Sequence, residues 1–127
     1  MIYIIEDDEI MAECIARACG DGVQIFGNAI EAMQAIDEGA NVGRLPDLIF
    51  LDVLLTGPDG FTFLHELMSY DDTSKIPIVM VTSLNLAEKD LSVYGVVEVL
   101  DKNTMRPEDI GRCVTKYTSK DEDGAKK

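Results

Sequence analysis

No apolar stretch in the sequence approaches the roughly 20 residues that a membrane-spanning helix requires. Its start, Met-Ile-Tyr-Ile-Ile-Glu-Asp-Asp, lacks the basic residues and small-residue cleavage site of a secretory signal. These two absences set the expectation of a cytoplasmic protein with no membrane insertion. Cysteine is sparse. Cys14, Cys19 and Cys113 are odd in number and form no C-x-x-C, which argues against a disulfide framework and against a zinc site. Cys14 and Cys113 fall at apolar-face positions of predicted helices and are expected to be small buried hydrophobes. Cations are also scarce: 11 Lys and Arg stand against 24 Asp and Glu, a net charge of −13. Such a surface repels nucleic-acid phosphates and anionic lipid, so direct nucleic-acid binding is not expected. No G-x-G-x-x-G occurs, and the first βα turn carries three acids that would repel a cofactor phosphate, which sets aside flavin and dinucleotide binding.

What is present is a regular alternation of short β-rich runs and helical patterns. With 127 residues, the chain fits one domain, able to bury roughly two thirds of its unfolded surface. Ile2 to Ile5, Val23 to Phe26, Leu48 to Leu51, Ile76 to Val81 and Val96 to Leu100 read as strands. Between them, Met11, Cys14, Ile15 and Ala18 repeat at helical spacing and Gly20 ends the pattern. Ala29, Ala32, Met33 and Ile36 repeat it again, stopped by Gly39, and Phe61, Leu64, Leu67 and Met68 give a third face. A turn at Thr56-Gly57-Pro58-Asp59-Gly60 precedes that third helix. Asn85 to Val93 is a weaker helix. Pro107 opens the last one, with Ile110, Cys113, Val114 and Tyr117 inward. The tail from Ser119 to Lys127 is polar and charged and is expected to fray. Five βα units with continuous apolar strands predict an α/β fold, a parallel sheet covered by helices on both faces.

In such sheets functional groups gather at the carboxyl ends of the strands. Here strand one ends in Glu6-Asp7-Asp8, strand three in Asp52, strand four in Thr82-Ser83 and strand five in Asp101-Lys102. Glu6, Asp7 and Asp52 would crowd carboxylates, and like charges that close raise each other's pKa or call for a cation. Mg²⁺ suits such a site, because it takes one or two carboxylates together with water and phosphate oxygens. Lys102 adds a positive point charge and Thr82 a hydroxyl donor. Together these residues describe a site where a carboxylate carries or attacks a phosphoryl group.

This set resembles the receiver domain of two-component response regulators, the CheY-like family, whose flavodoxin-like sheet has strand order 2-1-3-4-5. The resemblance covers residues 1 to about 119, leaving 120–127 as a disordered tail. It rests on the acidic pair after strand one, the Asp before a turn ending in Asp-Gly, the Thr after strand four and the Lys after strand five. It implies Asp52 as phosphoryl acceptor and Asp7 as a direct Mg²⁺ ligand. Glu6 would hold metal-bound water, and the Leu54 backbone carbonyl would be a further ligand. Thr82 would hydrogen-bond the phosphoryl oxygens and Lys102 would pair with their charge, with Asp8 a solvated or supporting neighbour. It further implies a phospho-acceptor rather than an enzyme, fed by a sensor histidine kinase or a histidine phosphotransfer protein. With no output domain after the last helix, the chain is expected to stand alone and act on a downstream protein. The alternatives are a receiver cut from a longer regulator and a degenerate receiver that binds partners without phosphorylation. A haloacid-dehalogenase-type phosphatase would need a second Asp two residues after the first, where Leu54 stands.

The sequence departs from the family pattern at three places. Thr56 replaces a usual Pro four residues after the acceptor. Asn103 replaces the Pro that usually follows the Lys through a cis bond. Because a cis bond before a non-proline residue costs about 2.5–4 kcal/mol, a trans Lys102–Asn103 bond and a shifted loop are expected. Val99 replaces the usual aromatic, and the segment from Thr82 to Lys102 is about two residues short, which predicts a stunted or irregular fourth helix. Either Tyr94 takes the aromatic's part or Val99 fills the core and coupling runs through the loops. His65, the one histidine, falls outside the apolar stripe of its helix and is expected at the surface.

Overall fold

A computed structural model describes residues 1–52, 60–83 and 94–118. Five strands form one parallel sheet in the order β2-β1-β3-β4-β5. They are β1 (Ile2–Ile5), β2 (Val23–Phe26), β3 (Leu48–Asp52), β4 (Ile78–Thr82) and β5 (Val96–Asp101). Four α-helices are described: α1 (Glu9–Cys19), α2 (Ala29–Asn41), α3 (Gly60–Met68) and α4 (Pro107–Thr118). This is the expected flavodoxin-like architecture. The expected helix over Asn85 to Val93 and the tail from Ser119 lie outside the described residues.

The strand sequences dictate the layering. Every residue of β1, β3 and β4 is buried, as a strand covered on both faces requires. Because side chains alternate along a strand, Ile2 and Ile4 enter the core beneath α1 and α4, while Tyr3 and Ile5 enter the core beneath α2 and α3. The same division sends Leu48 and Phe50 one way and Ile49 and Leu51 the other. The edge strands are more exposed. In β5 the register with β4 shifts between Ile78 and Val79, which pair with Val96 and Glu98, so Val97 bulges out. Beyond the bulge Glu98 lies on the α4 side, where Arg112 forks onto its carboxylate and the Tyr117 hydroxyl donates to it at 2.9 Å. Those contacts, Arg112 foremost, hold the Glu98 carboxyl below the usual range.

Local chemistry sets the helix ends. Asp8 caps α1, its carboxylate accepting from the N–H groups of Ile10 and Met11, and Asn28 caps α2 through the N–H of Glu31. Gly20 closes α1 in the left-handed region at φ 91°. Three expectations need correcting. Cys14 is exposed, because Ala12 and Ile15, not Cys14, carry the buried stripe of α1. Of the other thiols, burial pushes Cys113, and Cys19 as well, up to about 12, which leaves them protonated and unreactive at neutral pH. The fourth strand begins at Ile78, since Ile76 closes a 3₁₀ turn over Thr73–Lys75. Gly39 does not end α2. The helix runs through it to Asn41, and the Gly39 carbonyl accepts from the N–H groups of Val42 and Arg44 at 3.1 and 2.7 Å.

A Cβ at Gly39 would collide with the Arg44 backbone carbonyl, so glycine is there for close approach. In a helix Ala is ordinarily favoured over Gly by about 1 kcal/mol. Here Gly39→Ala is expected to lose about 1–3 kcal/mol in urea unfolding, as overpacking does. An increase in stability would show that the α2–β3 connection yields freely. Asp8→Ala should cost about 1 kcal/mol through loss of the α1 cap, read in the same experiment.

Candidate functional site

The parallel sheet brings the polar strand ends to one rim. Glu6 directly follows β1, and its N–H continues the ladder to the Phe26 carbonyl at 3.0 Å. Asp52 is the last residue of β3, paired with Val81. Thr82 ends β4 opposite Asp101, and the Lys102 N–H reaches back to the Thr82 carbonyl at 2.9 Å. Glu6, Asp52 and Thr82 are buried at 3%, 4% and 1% exposure, whereas Asp7 is exposed.

Lys102 joins the two buried acids. Its Nζ lies 3.1 Å from Asp52 Oδ2 and 3.0 Å from Glu6 Oε1. The contact with Asp52 is a hydrogen bond. The contact with Glu6 is an ion pair without hydrogen-bond geometry, and Glu6 Oε1 has no hydrogen-bond partner. Its other oxygen, Oε2, accepts from the Asp8 N–H at 3.2 Å. Burial, followed by the neighbouring Asp52 carboxylate, pushes Glu6 up to about 7 in spite of Lys102. Burial works against the Lys102 ammonium, but the Glu6 and Asp52 carboxylates outweigh it and raise its pKa.

Carboxylate oxygens of Glu6, Asp7 and Asp52 lie within 4.8 Å of one another. Among the described residues the three clustered carboxylates have only the Lys102 ammonium beside them, paired to Glu6 and Asp52, and the buried Glu6 Oε1 lacks a donor. A hard divalent cation with oxygen ligands answers both conditions, so the residues fit Mg²⁺. The Leu54 carbonyl and Thr56 lie outside the described residues.

The turn after Lys102 has its own support. No described peptide bond is cis, so Lys102–Asn103 is trans as expected. The Asn103 N–H, which a proline would lack, donates to Asp101 Oδ1 at 2.8 Å. The Asp101 carbonyl accepts from Thr104 and Met105 at 3.1 and 2.8 Å. Sequence reasoning missed this role of Asp101, although an Asp two residues before a free N–H is a recognisable turn signal. It also undervalued Asp8, which both caps α1 and presents its N–H to Glu6. Val99 is partly buried against the α2–α3 core. Tyr94 stands edge-on to Phe61 and His65, with ring centroids 6.4 and 5.1 Å away. His65 is exposed, as expected.

Fold and rim together define a doubly wound α/β domain with an acidic pocket and a bridging lysine. The chain belongs to the response regulator receiver domain family, which it matches over residues 2–113. It is 30% identical over 107 residues to a protein-glutamate methylesterase/protein-glutamine glutaminase of Chromobacterium violaceum, an alignment covering 80% of this chain and 29% of that protein. The chain spans 23–34% of the length of the first curated relatives it matches. Among solved structures it is similar to the phosphorylated cyanobacterial phytochrome response regulator RcpA, with 25% identity and TM-score 0.68 over 91% of this chain and 88% of that one. It is also similar to the receiver domain of a signal transduction histidine kinase from Syntrophus aciditrophicus, with 25% identity and TM-score 0.74 over 93% and 89% of the two chains.

The raised Glu6 pKa has a defined sign. A carboxyl held above its ordinary 4.5 contributes stability that is fully present below that value and lost as pH rises through about 7. In metal-free protein the Glu6 side-chain carbon should titrate in NMR near 7, move higher in Lys102→Met and move lower with Mg²⁺. A midpoint near 4.5 without metal would show that the pocket is better solvated than its burial implies.

Proposed function

We propose that this chain is a receiver that takes a phosphoryl group onto Asp52 from a histidine kinase or a histidine phosphotransfer protein. The observation that carries this reading is the Lys102 ammonium set between the buried Asp52 and Glu6 carboxylates, with Asp7 beside them. The phosphorylated state of its relative RcpA supports it. Residues 1–119 form the receiver and 120–127 a tail, and the chain works in the cytoplasm on a downstream protein.

In this reading Asp7 and Asp52 would bind Mg²⁺ directly, Glu6 would hold metal-bound water, and the Leu54 carbonyl would be a further ligand. Bound there, the ion supplies positive charge to the phosphoryl oxygens. An Asp52 oxygen attacks phosphorus in line with the phosphohistidine nitrogen. The P–O bond forms as the P–N bond breaks, and the bonding pair leaves with the imidazole. Lys102 needs no reorganisation to meet the new negative charge, because it already lies 3.1 Å from Asp52 Oδ2. Thr82 donates its hydroxyl to a phosphoryl oxygen. Water later cleaves the acyl phosphate and restores the Asp52 carboxylate. The chain is therefore a phospho-acceptor that assists its own modification, not an enzyme with a separate substrate.

Incubation with acetyl phosphate and Mg²⁺ should add the mass of one phosphoryl group. That gain should vanish in Asp52→Asn and on chelation of the metal. Lys102→Ala should slow it roughly 100-fold, the scale of losing one preorganised charge donor. Retention of the gain in Asp52→Asn, or no gain with acetyl phosphate or phosphoramidate, would sink the reading and favour a phosphorylation-independent binding module.

A further inference from the structure

A strongly apolar concavity that shares no lining residue with the acidic rim lies between α2 and α3. Its volume is about 270 Å³. Ala29, Met33 and Phe63 form its floor, and Ile30, 54% exposed, stands at its lip. Asp37 of α2 and Glu66 of α3 edge it. The formal charge on the two helices that line it has one sign. α2 carries Glu31, Asp37 and Glu38, α3 carries Glu66, and neither helix has a Lys or Arg.

Three occupants are readily set aside. Small-molecule sites usually run to roughly 300–1,000 Å³ with several convergent polar groups, and this groove is smaller and nearly without them. A second copy would bring another net charge of −13 and the same acidic edge. The chain's own residues 119–127, Ser-Lys-Asp-Glu-Asp-Gly-Ala-Lys-Lys, contain no large apolar side chain to fill it.

We infer that the α2–α3 groove docks a cationic amphipathic helix of a partner protein, which inserts one large apolar side chain between Ile30 and Phe63 and sets Lys or Arg against Asp37 and Glu66. The apolar floor supplies the anchor pocket and the acidic edge orients the helix, as in other helix-in-groove complexes. This surface is separate from the Asp52 pocket and does not depend on the phosphoryl-transfer reading.

The test is selection from a displayed library of amphipathic helical peptides with randomised charge and anchor, using the full 127-residue chain. The recovered peptides should be basic with one large apolar residue. In ¹⁵N NMR they should perturb Ile30, Met33, Thr62 and Glu66. Affinity should fall at least about tenfold, 1.4 kcal/mol, with the chain variants Ile30→Lys or Asp37→Lys/Glu66→Lys, and likewise when the peptide anchor becomes Ala. Both chain variants change exposed positions and should keep the wild-type circular dichroism and the wild-type rate of modification by acetyl phosphate. Recovery of no peptide binding more tightly than about 1 mM would overturn the inference. So would peptides that bind Ile30→Lys as well as wild type, perturb the acidic surface at large or contain no cations, and so would self-association blocked by Ile30→Lys.

Discussion

Two carboxylates placed almost out of contact with water, Glu6 at 3% and Asp52 at 4% exposure, need a positive charge beside them. Lys102 provides it from a different strand, and the geometry of the rim is organised around that reach. The Lys102 backbone is hydrogen-bonded to the end of β4, and the residues after it are folded back by Asp101. The ammonium therefore comes from a braced position. The balance is incomplete: among the described residues one ammonium stands beside two buried carboxylates with Asp7 close by, and burial, then Asp52, holds the Glu6 carboxyl above its ordinary range. That residual imbalance is what makes the pocket receptive to a divalent cation.

The two cores serve this rim by rigidity. β3 is buried along its whole length, with Phe50 held in one core and Leu51 in the other. Asp52 therefore leaves a strand that cannot rotate or slide without moving both layers. β1 delivers Glu6 by the same means, since Ile4 and Ile5 are fully buried on opposite sides. A charge constellation that depends on separations near 3 Å is best mounted on such elements, because loops alone would not hold it.

The strand sequences made most of this legible. Continuous apolar runs ending in acids, Thr and Lys place those side chains together once the strands are parallel, whatever the detail of the helices. Helix phase was less legible. Cys14 and Ala12 compete for the inward position of α1, and periodicity alone favoured the wrong one. Gly39 looked like a helix terminator because the close approach of the Arg44 carbonyl, its real cause, is a tertiary fact. The tie between Glu98, Arg112 and Tyr117 was invisible for a related reason. It depends on the extra residue in β5, and nothing in Val-Val-Glu-Val marks which residue will be left unpaired.

That extra residue bears on how the molecule meets its own kind. β5 is an outer strand of the sheet, and an outer strand with regular spacing is a template on which another chain can lay its own backbone. Val97 breaks the spacing partway along, and the Tyr117 hydroxyl already approaches its carbonyl at 3.5 Å. A visiting strand would fall out of step after one residue and find an acceptor partly engaged. The bulge thus disfavours extension of the sheet across its β5 edge, so that this side is better suited to approach through side chains than through backbone.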